Sequence, residues 1–451
     1  MEAAMQVEDW MQNEDWFLDP EGTKSWQSGD ITVTEEDKRV LRTLGEEVAA
    51  IASLPVQAET ASKWSTLNGL GRVKPMVWMS DIPWHEMDVD GELRLQTKSR
   101  WSRYHEWELR KLMYQWNHMR ADMVMESAVY SPLVVHSSGV GLAEDVDIAM
   151  TDEANSVVSR HFNIQIHDEA DLEKIKIPVV THDTDSSLAQ YQQLHDIFSG
   201  LLDVKTRGVN GFAFWVAPWD QLIRAWGVQE ALIDLYDRPE LVHKAIGRLV
   251  DAYLIALDQF EQQNLLTLNS GYNRIGSGGL GYTNELPQPD YDPGRVRAKD
   301  LWGFSAAQIF SDVSPRMHWE FALQYEIRWL SRFGLNYYGC CDPLHRKMDI
   351  LERIPNLRKV SMSPWVQVDE AVANVGDRYV FSYKPNPAGF SEATWHLDAA
   401  KHELETVLTK ARAHGCVVEV IMKDISTLRY EPQRLWEWSE MAAEVTQRFA
   451  D

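Results

Sequence analysis

The hydrophobic positions change period along the chain. From residue 35 the run EEDKRVLRTLGEEVAAIA places apolar side chains at helical spacing, and a second helical stretch follows at 59–67, so both predict helices closing one end of a larger body. KPMVWM is a short apolar strand that breaks at Pro83, and WSRYHEWELRKLMYQWNHM is a strongly amphipathic helix. Beyond it short apolar runs alternate with long helical ones, the pattern of parallel strands joined by crossover helices. Strands are expected at 122–126, 209–216, 265–269, 307–310, 335–339, 357–362, 379–382 and 417–422. Eight strands alternating with helices predict an α/β fold, a closed (β/α)8 TIM barrel, over 71–451, preceded at 1–70 by an N-terminal arm and helical extension.

Two long insertions, at about 131–207 and 271–300, each follow a strand and are therefore expected on the C-terminal face, where barrel enzymes build sites and lids from loops. The second holds GYNRIGSGGLGY. It lacks a G-x-x-x-x-G-K-[ST] motif or a G-x-G-x-x-G tight against a strand, so it reads as a mobile lid rather than a phosphate cradle.

Composition narrows the class. With 451 residues, 44% hydrophobic and 25% charged, the chain can bury a large core. Lys plus Arg number 44 against 68 Asp plus Glu, a net charge of −24, which repels phosphate backbones and anionic membrane surfaces and argues against nucleic-acid and membrane partners. No apolar stretch approaches the roughly 20 residues of a membrane span, and three cysteines, two of them adjacent, fit a reducing compartment; a cytoplasmic protein is expected. Most of the 19 tryptophans are expected to plug the core. The Trp-rich residues 1–34 and the aromatic run of the amphipathic helix also suggest apolar surface for a homodimer.

Chemistry is expected where strands end. Cys340, Cys341 and Asp342 follow one strand, Asp312 and Lys384 follow two others, and Lys423 and Asp424 follow the last. A charged group buried there must be paired or at work, and Lys384 is expected to pair with Asp312 or Glu126 unless it takes part in catalysis. Asp81, His85 and Glu86 form either an acid–base cluster or a solvated turn. His182 and Asp183 lie in the first insertion, and His318 opens a helix.

Three segments in order carry a family likeness. FAFWVAPWDQLIRAWGVQEALIDLYDRPELVHKAIGRL, AAQIFSDVSPRMHWEFALQYEIRWL and NYYGCCDPLHRKMDIL resemble successive strand blocks of the uroporphyrinogen decarboxylase superfamily. The resemblance implies a TIM barrel that is either a cofactor-free decarboxylase or a zinc methyltransferase served by a corrinoid carrier protein. Where porphyrinogen decarboxylases carry an Arg-rich loop this chain reads WMSDIPWHEM, which would repel a polycarboxylate, and Glu126 is a weak match to the catalytic aspartate. In the methyltransferase pattern Tyr338 stands at the His position while Cys340 matches the Cys; Cys416, before the last strand, falls at the opposite end. A zinc site would be rebuilt from Cys340, Cys341 and His318, with His85 or Glu126 as further donors.

The leading reading is methyl transfer on a small organic molecule, with zinc or a bare thiolate at Cys340 or Cys341 and Glu126, Asp312 or His85 moving protons. A cofactor-free lyase using Lys384 or Lys423, and a catalytically silent binding barrel, are the alternatives.

Overall fold

A computed structural model describes residues 26–142, 145–149, 159–209 and 216–450. The first expected helix forms at Glu35–Ala52, where Thr34 caps it reciprocally with Asp37, and Asp37 also accepts the Lys98 backbone N–H at 2.8 Å. Helices at Pro55–Asn68 and Arg100–His118 follow. The aromatic face of the last is spent within the chain: Trp101 and Trp107 are buried, and Trp26 packs on Tyr104 at 6.0 Å. These side chains are packed within the chain, and the remainder of the arm, residues 1–25, lies outside the described residues.

Among the described residues, twelve short strands form one main sheet and three pairs. In chain order they are β1 (Met76–Met79), β2 (Ala128–Pro132), β3 (Val134–Ser137), β4 (Val146–Ala149), β5 (Ser159–Phe162), β6 (Val180–Asp183), β7 (Asp203–Arg207), β8 (Trp302–Ser305), β9 (Leu335–Tyr338), β10 (Leu357–Met362), β11 (Val380–Tyr383) and β12 (Val417–Met422). The main sheet is parallel throughout, in the order β1-β12-β11-β10-β9-β8. The first insertion folds into the pairs β2·β7, β3·β6 and β4·β5.

Three expectations change. The apolar run at 307–310 is a 3-10 turn, Gln308–Phe310, and the strand lies upstream as β8. Asn269 decides this, because its side-chain amide accepts from and donates to the Trp302 backbone like a neighbouring strand. Of 265–269 and 209–216, the described residues keep a parallel bridge, Val209 to Leu266, and 210–215 lie outside them. Residues 122–126 form no regular strand, although Asp122 hydrogen-bonds Val77 through both its backbone N–H and its carboxylate.

The two faces of the sheet differ. Val77, Tyr338, Val360, Phe381, Val418 and Val420 pack outward into the main apolar cluster with the helices. The opposite face carries Phe304, Tyr337, Lys359, Ser382 and Glu419, and the glycine-rich segment fills the space above it. That segment is no lid. Residues 275–281 are buried, with Ser277 Oγ donating to Gly339 O at 3.1 Å and Asn68 Nδ2 donating to Leu280 O at 2.8 Å. The glycines are there because nothing larger fits: a Cβ on Gly276, whose φ is +52°, would lie 2.2 Å from Phe304 Cδ2. Gly276→Ala is expected to destabilise the protein by about 2–4 kcal/mol through overpacking and left-handed strain. Urea unfolding with an unchanged m-value would measure it, and a loss under about 0.5 kcal/mol would mean that the segment yields freely.

Candidate active site

The C-terminal ends of β1, β9, β11 and β12 converge on two thiols. Gly339, at φ +93°, turns the chain after β9 so that Cys340 is buried and Cys341 is exposed. Their sulfurs lie 3.5 Å apart. Lys423, the residue after β12, brings Nζ to 3.5 Å from Cys340 Sγ and 3.8 Å from Cys341 Sγ, and also pairs with Asp424 at 2.5 Å. Asp424 Oδ2 in turn lies 3.4 Å from Cys341 Sγ. Asp424 and Asp81 both hold positive φ, 56° and 52°, which folds the loops after β12 and β1 back toward this cluster. Asp81 is bound by Arg274 of the glycine-rich segment at 2.8 and 3.2 Å.

The two thiols are shifted in opposite directions. The hydrogen bond with Cys341 holds Cys340 below the usual thiol range, and Lys423 adds to this against the cost of burial. The same hydrogen bond, with burial, pushes Cys341 up. Burial acts to neutralise Lys423, but Cys340 and Asp424 outweigh it and its pKa is raised. The arrangement favours a thiolate at Cys340, set against the Lys423 ammonium, over one at Cys341. Burial also disfavours charge on Asp81, and Arg274 with Lys423 overcomes it.

Lys384 sits on the inner face below. It donates to Tyr337 OH, and to Ser382 O and Oγ at 2.9 Å each, so neither Asp312 nor Glu126 is its partner. Burial brings its pKa down to about 7, with Glu419 opposing and Lys423 reinforcing the shift. Asp342 is buried; its Oδ1 accepts the Cys340 backbone N–H at 3.0 Å, its Oδ2 has no partner among the described residues, and burial pushes its pKa up. Asp220, which the sequence gave no reason to single out, accepts from Gln308 Nε2 at 2.7 Å, and burial raises it to about 6, with Asp342 contributing. Its place at the start of the helix Pro218–Trp226, just past a strand block, was the available signal.

Other expected residues serve elsewhere. Asp312 is exposed in a turn. Glu126 accepts from Tyr130 OH, from Tyr282 OH at 2.9 Å and from the Tyr272 backbone N–H at 3.3 Å, which makes it an anchor for the glycine-rich segment. Glu86 is buried, accepting from Thr427 Oγ1 at 2.6 Å and Leu428 N at 2.5 Å, so it ties two loops together, with His85 Nε2 3.7 Å away. His182 bonds Ser187 Oγ at 2.9 Å, and Asp183 caps the helix Thr184–Phe198. Cys416 contacts Val372 O at 3.5 Å, before the start of β12.

Of the expected zinc ligands, Cys340 and Cys341 meet and His318 does not join them. His318 is buried on the helix side of β9, its Nε2 at 2.8 Å from Tyr338 OH and its Nδ1 at 3.2 Å from Lys347 Nζ. Tyr337 and Tyr338 point to opposite faces, so a ligand packed on Tyr338 is on the wrong side of the sheet from the inner-face residues that lie under the thiols. Among the described residues no three His, Cys, Asp or Glu side chains converge to hold a metal. The residues present do not fit a zinc thiolate centre, and Lys423 takes the place of its positive charge.

A groove of about 770 Å³ between the helices Glu35–Ala52 and Arg100–His118 is lined by none of these residues; Glu36, Arg39, Arg42 and Arg110 give it mixed charge. Among the described residues no helix is long and apolar enough to cross a membrane.

The described residues form a mixed α/β fold around a six-stranded parallel sheet. No family model matches the chain and no curated protein does. Among solved structures it is similar to a methyltransferase from Methanosarcina mazei, at a TM-score of 0.47 and 12% identity over 86% of this chain and 98% of that one.

Proposed function

We propose that this chain is a thiol-dependent methyl-transfer enzyme acting on a small organic molecule, built as a divergent barrel of the uroporphyrinogen decarboxylase superfamily. Closure into a barrel is supported by the contacts at both sheet edges, Asp122 against β1 and Asn269 against β8, with the Val209–Leu266 bridge between them. The observation that carries the reading is Lys423 Nζ set between Cys340 Sγ at 3.5 Å and Cys341 Sγ at 3.8 Å at the C-terminal end of the sheet. A thiolate there attacks the methyl carbon; the S–C bond forms as the bond to the leaving group breaks, and the electron pair departs with that group. Asp342 and Asp220, both shifted toward the neutral acid, stand near as proton sources.

Isotope-labelled methyl iodide, and methylcobalamin as a probe of the corrinoid donors that the resemblance implies, test this on the full chain. Trypsin releases the peptide 333–346, which holds Cys340 and Cys341 and no other cysteine. Label is expected on Cys340, absent in Cys340→Ser and reduced in Lys423→Met. Label unaffected by Cys340→Ser would end the proposal. In that event the second reading gains, a lyase that uses Lys384, whose pKa of about 7 beside Tyr337 suits proton transfer near neutrality.

A further inference from the structure

We infer that Cys340 and Cys341 are an oxidative modification site, closing to a disulfide between sequence neighbours when hydrogen peroxide reaches them and so removing the nucleophile from action. This rests on the proposed function only in taking Cys340 as the reactive thiol. The geometry is that of an attacking and a resolving thiol: one sulfur is buried against Lys423, the other is exposed, and 3.5 Å separates them. The cation at 3.5 Å favours the anionic form of the buried sulfur, and peroxide reacts with thiolate rather than thiol. Asp424 Oδ2, 3.4 Å from Cys341 Sγ, is placed to take the second proton.

The steps balance. The Cys340 thiolate attacks one peroxide oxygen, the O–O bond breaks, and the departing hydroxide takes a proton to leave as water, which gives a sulfenic acid. Cys341 then loses its proton to Asp424 and attacks the Cys340 sulfur. The S–S bond forms as the S–O bond breaks, and the hydroxide, taking that proton, leaves as a second water. The two thiols lose two electrons and one peroxide becomes two waters. A disulfide closing over a single peptide bond is strained, so a dithiol reductant reopens it readily. Cys416 takes no part, since it lies at the start of β12 while Lys423 follows its end.

The full chain, reduced and freed of reductant, is treated with hydrogen peroxide, blocked with iodoacetamide and digested with trypsin. The peptide 333–346 is expected to lose two hydrogens and both alkylation sites, to recover them after dithiothreitol, and to leave Cys416 alkylated throughout. In Cys341→Ser the same dose drives Cys340 to sulfinic acid, which dithiothreitol does not reverse. In Lys423→Met oxidation slows by about tenfold or more. Two thiols still alkylated after peroxide, a sulfinic acid without any closed peptide in the wild type, or a disulfide formed only between chains on non-reducing gels would each overturn the inference. Methyl label on Cys340 without a closed peptide leaves the transferase reading standing alone, and a closed peptide without label does the reverse.

Discussion

Replacing Lys359 by methionine is expected to cost the fold about 3–5 kcal/mol, among the largest losses available from one side chain, because it strands Glu419 as an unpaired buried charge. The two meet at 2.8 Å and neither side chain has any exposure. Lys359 also lies over the rings of Trp64 and Trp302, at 5.8 and 5.6 Å, so it is enclosed from the end-closing helix and from β8 alike. Burial lowers its pKa, and Glu419 opposes that shift. Glu419 Oε1 has no hydrogen-bond partner among the described residues. The double variant Lys359→Met, Glu419→Met removes both charges and is expected to recover most of the loss. Urea unfolding of the wild type, the two single variants and the double gives the coupling directly. Single variants as mild as the double would show that the pair is neutral or hydrated in the folded state.

Lys423→Met is the second large effect, and it falls on reactivity. The sulfurs lose the ammonium that lies 3.5 and 3.8 Å from them while Asp424 remains beside them. The pH profile of iodoacetamide alkylation at Cys340 is therefore expected to move to higher pH, with the rate at neutral pH falling by about tenfold or more. The sign follows from the thiolate: a cation beside it lowers the pH at which it forms, so removing the cation raises that pH. Asp424→Asn should move the profile the other way, since a like charge beside the thiolate is removed. Profiles that superimpose for wild type and Lys423→Met would take Lys423 out of the activation of Cys340. Lys423→Arg separates charge from shape, because the guanidinium keeps the charge but not the point geometry.

Some of this was readable from one dimension. The helices at Glu35–Ala52 and Arg100–His118 and the strands β10 and β12 came from local period and capping, which depend on residues a few positions apart. The placing of Cys340, Lys384 and Lys423 past strand ends came from the direction of parallel strands. What those residues touch was not readable. Lys423 lies 83 positions from Cys340, Arg274 193 from Asp81 and Lys359 60 from Glu419, and no local pattern encodes such pairs.

Alone, then, the sequence determined an α/β chain of parallel strands with reactive groups at their C-terminal ends, because period and polarity are properties of neighbouring residues. Tertiary structure decided that the strand before Gln308 is Trp302–Ser305, where the Asn269 amide supplies its edge. It also decided that the glycine-rich segment is interior packing. Glycine suits an exposed hinge and a crowded interior equally, and it was the rings of Phe304 and Tyr337, within 3 Å of where a Cβ on Gly276 would stand, that selected the second.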